Sequence, residues 1–487
     1  MTSTPGRAWP RPDGPVWACA GAVVVAGLFR RLVPADTDTP WHLAEGRLLL
    51  HRWADGSFEL GRADSFSWTA RGAAWHPNSW AFDAVMAAVD HVAGWAGIAI
   101  LRLGLLAGLA ALAWWFSRRT GGGRWARAGA VWAGVVLVIP TGAMRPQLAS
   151  FVLLLAVLEL AGGILGSRGT GVVPWPRLLA LAATFSLWAC LHGGVIVGAA
   201  AVGVMSAGDL LDRRRWLRPA LTSLVAVGAS CLSPLGITVW TYALRNGGES
   251  RREGIEEWQP ASLHRADDVG VVLLLFVVLA WALWWRRGDR TRAPWALILP
   301  VALTTGLTLL AARNATFAVL AAVPLMASLL TGLGGWLDRR SRPIPVRPGP
   351  ALAAMTAGAL LAGAIQTSTF ILEPDPLGAA AYPSAAAAAL PSGCRLLNEY
   401  GFGGYLILVR PDVPVSQDGR NDLYGPDRLA EQSALFEGTG AVAGLDRAGV
   451  ACVLAQPDRP LVRLLGGDPR WRRVAADATA EAWVRSG

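Results

Sequence analysis

Residues 147–166 read QLASFVLLLAVLELAGGILG, an apolar run interrupted by a single charged side chain, Glu159. At 1.5 Å of rise per residue, about twenty helical residues cover the ~30 Å hydrocarbon core of a bilayer. The backbone of such a run must pair with itself, because no water reaches it there, and a helix does so within one segment. Working outward, comparable runs recur at 16–33, 94–116, 126–143, 177–191, 193–208, 219–239, 269–285, 295–312, 315–334 and 350–371. The pattern predicts an α-helical polytopic membrane protein of about eleven spans. The runs 177–191 and 193–208 are short and meet at His192-Gly193-Gly194, so they read as one hairpin or a re-entrant pair. Arg30-Arg31 follows the first run and no small-residue cleavage site precedes it, which predicts a retained helix rather than a cleaved signal.

Composition agrees. Of the 487 residues, 53% are hydrophobic and 16% charged, against about 25% charged in average soluble domains. Mean hydropathy is +0.39. The basic residues are all arginine. They cluster at Arg118, Arg119, Arg124 and Arg127; at Arg213, Arg214, Arg215 and Arg218; at Arg286, Arg287, Arg290 and Arg292; and at Arg339, Arg340, Arg342 and Arg347. All four clusters fall on one side of the membrane if the N-terminus is cytoplasmic, as positive-inside bias requires. The other side then receives 34–93, the turn at Arg145, 240–268, Arg313-Asn314 and everything after 372. The net charge of +10 is therefore topological, and a nucleic-acid partner is not expected. The absence of lysine with abundant Arg, Ala and Gly suggests a GC-rich bacterial genome, and hence a bacterial plasma membrane.

Cys19, Cys190, Cys231, Cys394 and Cys452 form no CxxC and no metal-ligand spacing. Three lie in predicted spans. Cys394 and Cys452 share the external tail, where an oxidising compartment would permit pairing, but the reading taken here leaves them free.

Two external segments are too long and polar to be connectors. In the first, 34–93, Pro40 suits the first turn of a helix capped by Thr39 or Asp38. A helix through Trp53 would bring Asp38, His42, Glu45 and Arg52 into one quadrant. Phe58, Phe66, Trp68, Trp75 and Trp80 follow, interleaved with Asp64, His76 and Asn78. They fit an interfacial belt or an amphipathic binding cleft equally well. The second segment, 373–487, reads as a small α/β domain following a transmembrane domain of 1–372. Helices are expected at 379–390 and 426–447, and strands at 395–397, 413–415, 450–455 and 480–485. Asp418 and Arg420 are expected to brace a loop as a salt bridge.

The order of these pieces resembles a bacterial polytopic family related to the type C (GT-C) glycosyltransferases. The matching residues are Asp36-Thr37-Asp38 with Trp41-His42 and Gly46, then Asp64-Ser65-Phe66-Ser67, Trp75 and Trp80. They continue with Arg145-Pro146-Gln147, Trp188, His192-Gly193, Ser233-Pro234-Leu235-Gly236, Glu257-Trp258 and Arg313-Asn314. The tail adds Asn398-Glu399-Tyr400-Gly401, Gly403-Gly404-Tyr405, Asp418-Gly419-Arg420 and Leu423-Tyr424.

What the resemblance implies is a GT-C-like bundle with an extracytoplasmic α/β tail. Its reaction would be transfer of a sugar from a polyprenyl-phosphate donor to an extracytoplasmic glycan, lipid or protein acceptor. Asp38 would be the base of an inverting displacement, with Asp36 assisting or holding a divalent cation such as Mg or Mn. Arg145 and Arg313 would face the leaving phosphate, unless they only snorkel to lipid headgroups. Substrate contacts are further assigned to His42, Glu45, His76, Asn78, His192 and Glu257, with a structural hydrogen-bonding role as the other reading of His192. Two rivals use the same scaffold: a lipid-linked-sugar transporter or flippase, and a non-catalytic envelope assembly protein. No clear internal repeat of the kind transporters show is found.

Overall fold

The computed structural model describes residues 36–118, 123–138, 143–166, 173–252, 256–262, 264–288, 293–338 and 382–486. The expected spans 16–33 and 350–371, and the expected domain boundary at 372/373, lie outside them.

The described residues before 339 are helical apart from one small hairpin. Helix α1 (Thr39–Ala54) is followed by a small hairpin of β1 (Arg62–Ala63) and β2 (Ala74–Trp75), then α2 (Trp80–Ser117), α3 (Arg124–Leu137), α4 (Pro146–Leu165), α5 (Trp175–Leu191) and α6 (Val195–Arg213). Next come α7 (Leu217–Ser230), α8 (Thr238–Arg252), α9 (Ala266–Gly288), α10 (Trp295–Leu310) and α11 (Ala315–Asp338). Five of these stretches are long and apolar enough to cross a bilayer: 80–117, 146–165, 195–213, 268–288 and 312–332. Helices α5 and α10 are apolar but shorter.

Two sequence boundaries shift. The second predicted span begins at Gly94, whereas α2 already starts at Trp80; Gly94 adopts φ 55°, kinking the helix where the apolar run begins. The run 219–239 is not one helix. It breaks after Ser230 at Ser233-Pro234-Leu235-Gly236, and α8 continues beyond, because Pro234 cannot supply an interior N–H and Gly236 takes φ 55°. The runs 177–191 and 193–208 are two helices joined at His192-Gly193-Gly194.

One hydrophobic core runs through the bundle. Phe151, Trp188, Leu148, Val195 and Leu320 are all but inaccessible within it. Trp188 keeps its indole N–H satisfied by donating to Ser150 Oγ at 2.7 Å.

The tail contains α12 (Ser384–Ala388), β3 (Leu396–Asn398), α13 (Tyr400–Val409), α14 (Asn421–Tyr424), α15 (Pro426–Phe436), α16 (Ala441–Ala448), β4 (Cys452–Ala455), α17 (Pro460–Gly467), β5 (Trp471–Ala476) and β6 (Glu481–Arg485). The sheet order is β3-β4-β6-β5; β3 and β4 are parallel and the other pairs antiparallel. Residues 413–415 form no strand; Val415 instead bridges to Ser67 of the first loop. Helix α13 and strand β5 were not anticipated, and 426–447 divides into two helices at Gly438–Gly440.

Cys394 and Cys452 are joined in a disulfide with Cα atoms 6.1 Å apart, contrary to the free thiols expected. The reason is strand pairing: Cys394 precedes β3 and Cys452 opens β4 alongside it. A separation of 58 residues conceals that neighbourhood in the sequence.

Tail and first loop share a second core. Trp41, Ala44 and Trp75 pack with Tyr382, Phe402, Tyr405, Val415 and Leu454. This cluster presses the tail against the loop that carries Asp36 and Asp38.

Candidate functional site

Helix α1 begins with Pro40 in its first turn, and Asp38 sits at the N-cap position. Asp38 does not cap the helix. Asp36 does so instead, accepting the backbone N–H groups of Thr39 (3.3 Å) and Asp38 (3.4 Å). Asp38 is thereby freed to turn toward Arg145, the residue just before α4, whose Nη1 lies 2.9 Å from Asp38 Oδ2. Arg145 also pairs with Asp36. The remaining Asp38 oxygen accepts the Trp41 indole N–H and the Thr37 hydroxyl, both at 3.3 Å.

The network extends across the bundle. Arg145 Nη1 is 4.0 Å from Glu257, and Glu257 holds Arg313 Nη1 at 3.0 Å. The Arg313 guanidinium lies 4.1 Å from the Trp258 ring centroid, a cation–π contact. Gln147 turns its amide oxygen to the same guanidinium. Asp38, Arg145, Gln147, Glu257 and Arg313 all line one cavity of about 300 Å³, whose apolar wall includes Ile196, Val197, Leu307 and Phe317.

Two histidines enter from opposite sides. His42 Nδ1 lies 2.7 Å from fully buried Asp83 and 3.4 Å from Ser79 Oγ, and its ring stacks on Trp41 at 3.6 Å. His192 Nδ1 accepts from Ser150 Oγ at 2.7 Å and from the Gly194 N–H at 3.1 Å. That occupancy places the ring proton on Nε2 and leaves His192 a neutral donor. Burial, with Arg313 and His42 nearby, pushes its pKa down to about 3.

The two aspartates are driven apart. Burial would raise the Asp36 pKa, but the charge of Arg145 and hydrogen bonds from Arg145 and Thr39 hold it below the usual carboxylate range. Burial raises that of Asp38, and the charges of Asp36 and Glu257 add to it against the opposing Arg145 and His42. For Arg145, burial is outweighed by Asp38, Asp36 and Glu257, which raise its pKa and keep it charged. The arrangement sets a proton-accepting carboxylate beside a permanent cation.

The structure thus brings Asp38, His42, Asn78, Arg145, His192, Glu257 and Arg313 to one cavity. Three other sequence candidates lie elsewhere. Asp36 is buried beneath it and holds Arg145. Glu45 is fully buried and paired with Arg62, 3.1 Å from Nε to Oε1, because the helical turn after His42 rotates it into the hairpin. His76 packs on Gly61 in a neighbouring cavity.

The carboxylates of Asp36 and Asp38 are both occupied by Arg145, and among the described residues no cluster of three or more His, Cys, Asp or Glu is arranged for a metal.

Sequence reading did not single out Asp83, Tyr242 or the tail segment 419–422 as lining or supporting this site. Asp83 carried a usable signal, an ionisable residue at the head of a long apolar helix. The tail segment's one signal was the Asp418-Gly419-Arg420 piece of the resemblance, which does not say that the fold brings it back to Asp38. Gly419 leaves room for Asp38 there: an added Cβ would meet Asp38 Oδ1 and approach Trp41 Nε1 to 2.8 Å, so Asp38 would have to shift.

No family model and no curated protein sequence matches the chain. Solved structures do. An archaeal oligosaccharyltransferase, AglB from Archaeoglobus fulgidus, solved with an inhibitory peptide and a dolichol-phosphate, superposes at TM-score 0.56 with 12% identity, covering 92% of this chain and 70% of that one. ArnT from Cupriavidus metallidurans, bound to undecaprenyl phosphate, gives 0.54 and 14%, over 96% and 97%. The arabinofuranosyltransferase AftD from Mycobacteria gives 0.51 and 18%, over 98% and 42%. This chain shares the fold of these three structures.

Proposed function

We propose that this protein is a membrane glycosyltransferase that moves a sugar from a polyprenyl-phosphate donor to an extracytoplasmic acceptor. The observation that carries the reading is the Asp38–Arg145 contact at the wall of a cavity that Arg313 also lines, 2.9 Å in the first pair. Phosphate binding asks for fixed cations in a site with an apolar flank for the lipid, and displacement at an anomeric carbon asks for a base beside them. AglB and ArnT, whose structures contain polyprenyl phosphates, support the donor class.

In this mechanism Asp38 takes the acceptor hydroxyl proton as the oxygen attacks the anomeric carbon. The sugar–phosphate bond breaks on the opposite face, giving inversion, and the polyprenyl phosphate leaves toward Arg145 and Arg313. His192, neutral and with Nε2–H to spare, donates a hydrogen bond without adding charge. We place the protein in a bacterial plasma membrane with its N-terminus inside. The tail and its disulfide then lie in the oxidising exterior.

The direct test incubates purified protein with radiolabelled polyprenyl-phosphate sugar and envelope acceptor. Labelled acceptor is expected; sugar movement across vesicles without any acceptor would instead establish a transporter.

Two expectations follow from the site. Arg313→Gln weakens farnesyl phosphate binding about 10- to 100-fold, the range for a lost charge-assisted hydrogen bond, read by calorimetry in detergent. The transfer rate falls on the acid side at a pH above the ordinary carboxylate range, because burial raises Asp38 and the protonated form cannot accept a proton. A rate–pH profile flat down to pH 4 would remove Asp38 from that role.

A further inference from the structure

Arg145 and Arg313 are the cations that the proposed reaction turns toward phosphate, yet one carboxylate already lies between them. Glu257 Oε1 is 3.0 Å from Arg313 Nη1, and its Oε2 is 4.0 Å from Arg145 Nη1. With Asp38 on Arg145 at 2.9 Å, these four side chains alternate in charge along one cavity. Within that chain each cation is matched by a carboxylate. A phosphate that reaches the same guanidiniums adds a negative charge to a partly desolvated place, so one carboxylate has to give way.

The contacts identify which one. Asp38 is held by Arg145 through one oxygen and by the Trp41 indole and the Thr37 hydroxyl through the other, and its side chain is 21% exposed. The Glu257 side chain is 42% exposed, and among the described residues its polar partners are the two arginines alone. It belongs to a single turn, Glu256–Trp258, from which side-chain rotation carries the carboxylate into solvent. Neither cation depends on it for position. Arg313 keeps the Trp258 ring at 4.1 Å and the Gln147 amide oxygen, and Arg145 keeps Asp36 and Asp38.

We infer that Glu257 is an internal counter-ion that competes with phosphate for Arg313 and Arg145. Phosphate binding displaces it, and its return to Arg313 helps to expel the polyprenyl phosphate left after transfer. Glu257 then limits donor affinity, in place of the substrate contact expected for it. This rests on the donor reading of the cavity and adds to it the residue that sets how tightly phosphate is held.

Calorimetry of the full chain in detergent tests it, with farnesyl phosphate as the probe and farnesol as its uncharged counterpart. Glu257→Gln and Glu257→Ala are expected to bind farnesyl phosphate about 3- to 10-fold more tightly than wild type, between the effect of an exposed ion pair and that of a buried charged hydrogen bond. Farnesol is expected to bind all three proteins alike. In an Arg313→Gln background the Glu257→Gln gain should shrink, because the 3.0 Å contact it relieves is already gone. The inference is overturned if neither variant gains affinity, if farnesol gains equally, or if the gain is the same in both backgrounds, as a long-range field would give. Wild-type binding without any gain defeats this inference alone; no farnesyl phosphate binding by wild type or variants defeats it together with the donor reading.

Discussion

Asp38→Asn lowers sugar transfer by about 10²- to 10⁴-fold, the span attributable to one general base, and leaves the KM for the donor near its wild-type value. Asparagine keeps one oxygen to face Arg145 and gives up the one that accepts the Trp41 indole, so the cation stays in place while the proton acceptor is lost. The loss therefore falls on kcat. Asp36→Asn behaves differently. Asp36 does not line the cavity; it caps α1 and pairs with Arg145. Its replacement loosens the guanidinium, weakens donor binding and lowers stability, with the acid limb of the pH profile still present. Equal turnover in Asp38→Asn and wild type would refute the base assignment and leave the fold untouched.

The separation of these two aspartates shows where sequence reading succeeds and where it stops. Apolar runs declare themselves because a bilayer needs a minimum helix length, so the long helices were legible as runs, while the early start of α2 at Trp80 and the break after Ser230 were not. The D-x-D triplet and Arg145 were legible as costly polar residues beside apolar spans. The cap was not: Thr39 or Asp38 was expected there, yet the N–H groups of Thr39 and Asp38 go to Asp36. Glu45 shares a helical face with Asp38 and His42 by spacing, yet Arg62 from the hairpin claims it. Helix α13 was missed because GYLILV has too short an apolar run for periodicity to distinguish helix from strand. The disulfide and the tail's approach to Asp38 depend on pairings between distant segments, which local patterns do not encode.

One buried residue adds an ionic tie between the first loop and the tail, and its loss gives the largest expected change in stability. Arg420 is fully buried. Its Nη1 donates to Asp64 at 2.6 Å, its Nε and Nη2 bind Asp418 at 2.8 and 2.7 Å, and the Tyr424 hydroxyl closes on the same carboxylate. Asp64 belongs to the first loop and Asp418 to the tail, so the guanidinium bolts one to the other. Arg420→Met strands two buried carboxylates and costs about 3–5 kcal/mol, the usual penalty for halving a buried ion pair. Lysine does not rescue it, because a point charge cannot reproduce the two-sided fork. Thermal unfolding in detergent and proteolysis of the tail read the loss. The pH dependence carries a further sign. Burial opposes ionisation of Asp64, but the charge of Arg420 and the Ser67 hydrogen bonds hold its folded pKa below the ordinary value. Its contribution is thus complete above the unfolded carboxylate pKa of about 3.9 and fades as pH falls through the lower folded value. The gap between wild type and Arg420→Met is therefore wide at pH 7 and closes in acid. Activity should fall with stability, because Gly419 lies between Asp418 and Arg420 and is pressed against Asp38. A variant as stable as wild type at pH 7, with its tail equally resistant to protease, would show that the hydrophobic cluster alone docks the tail.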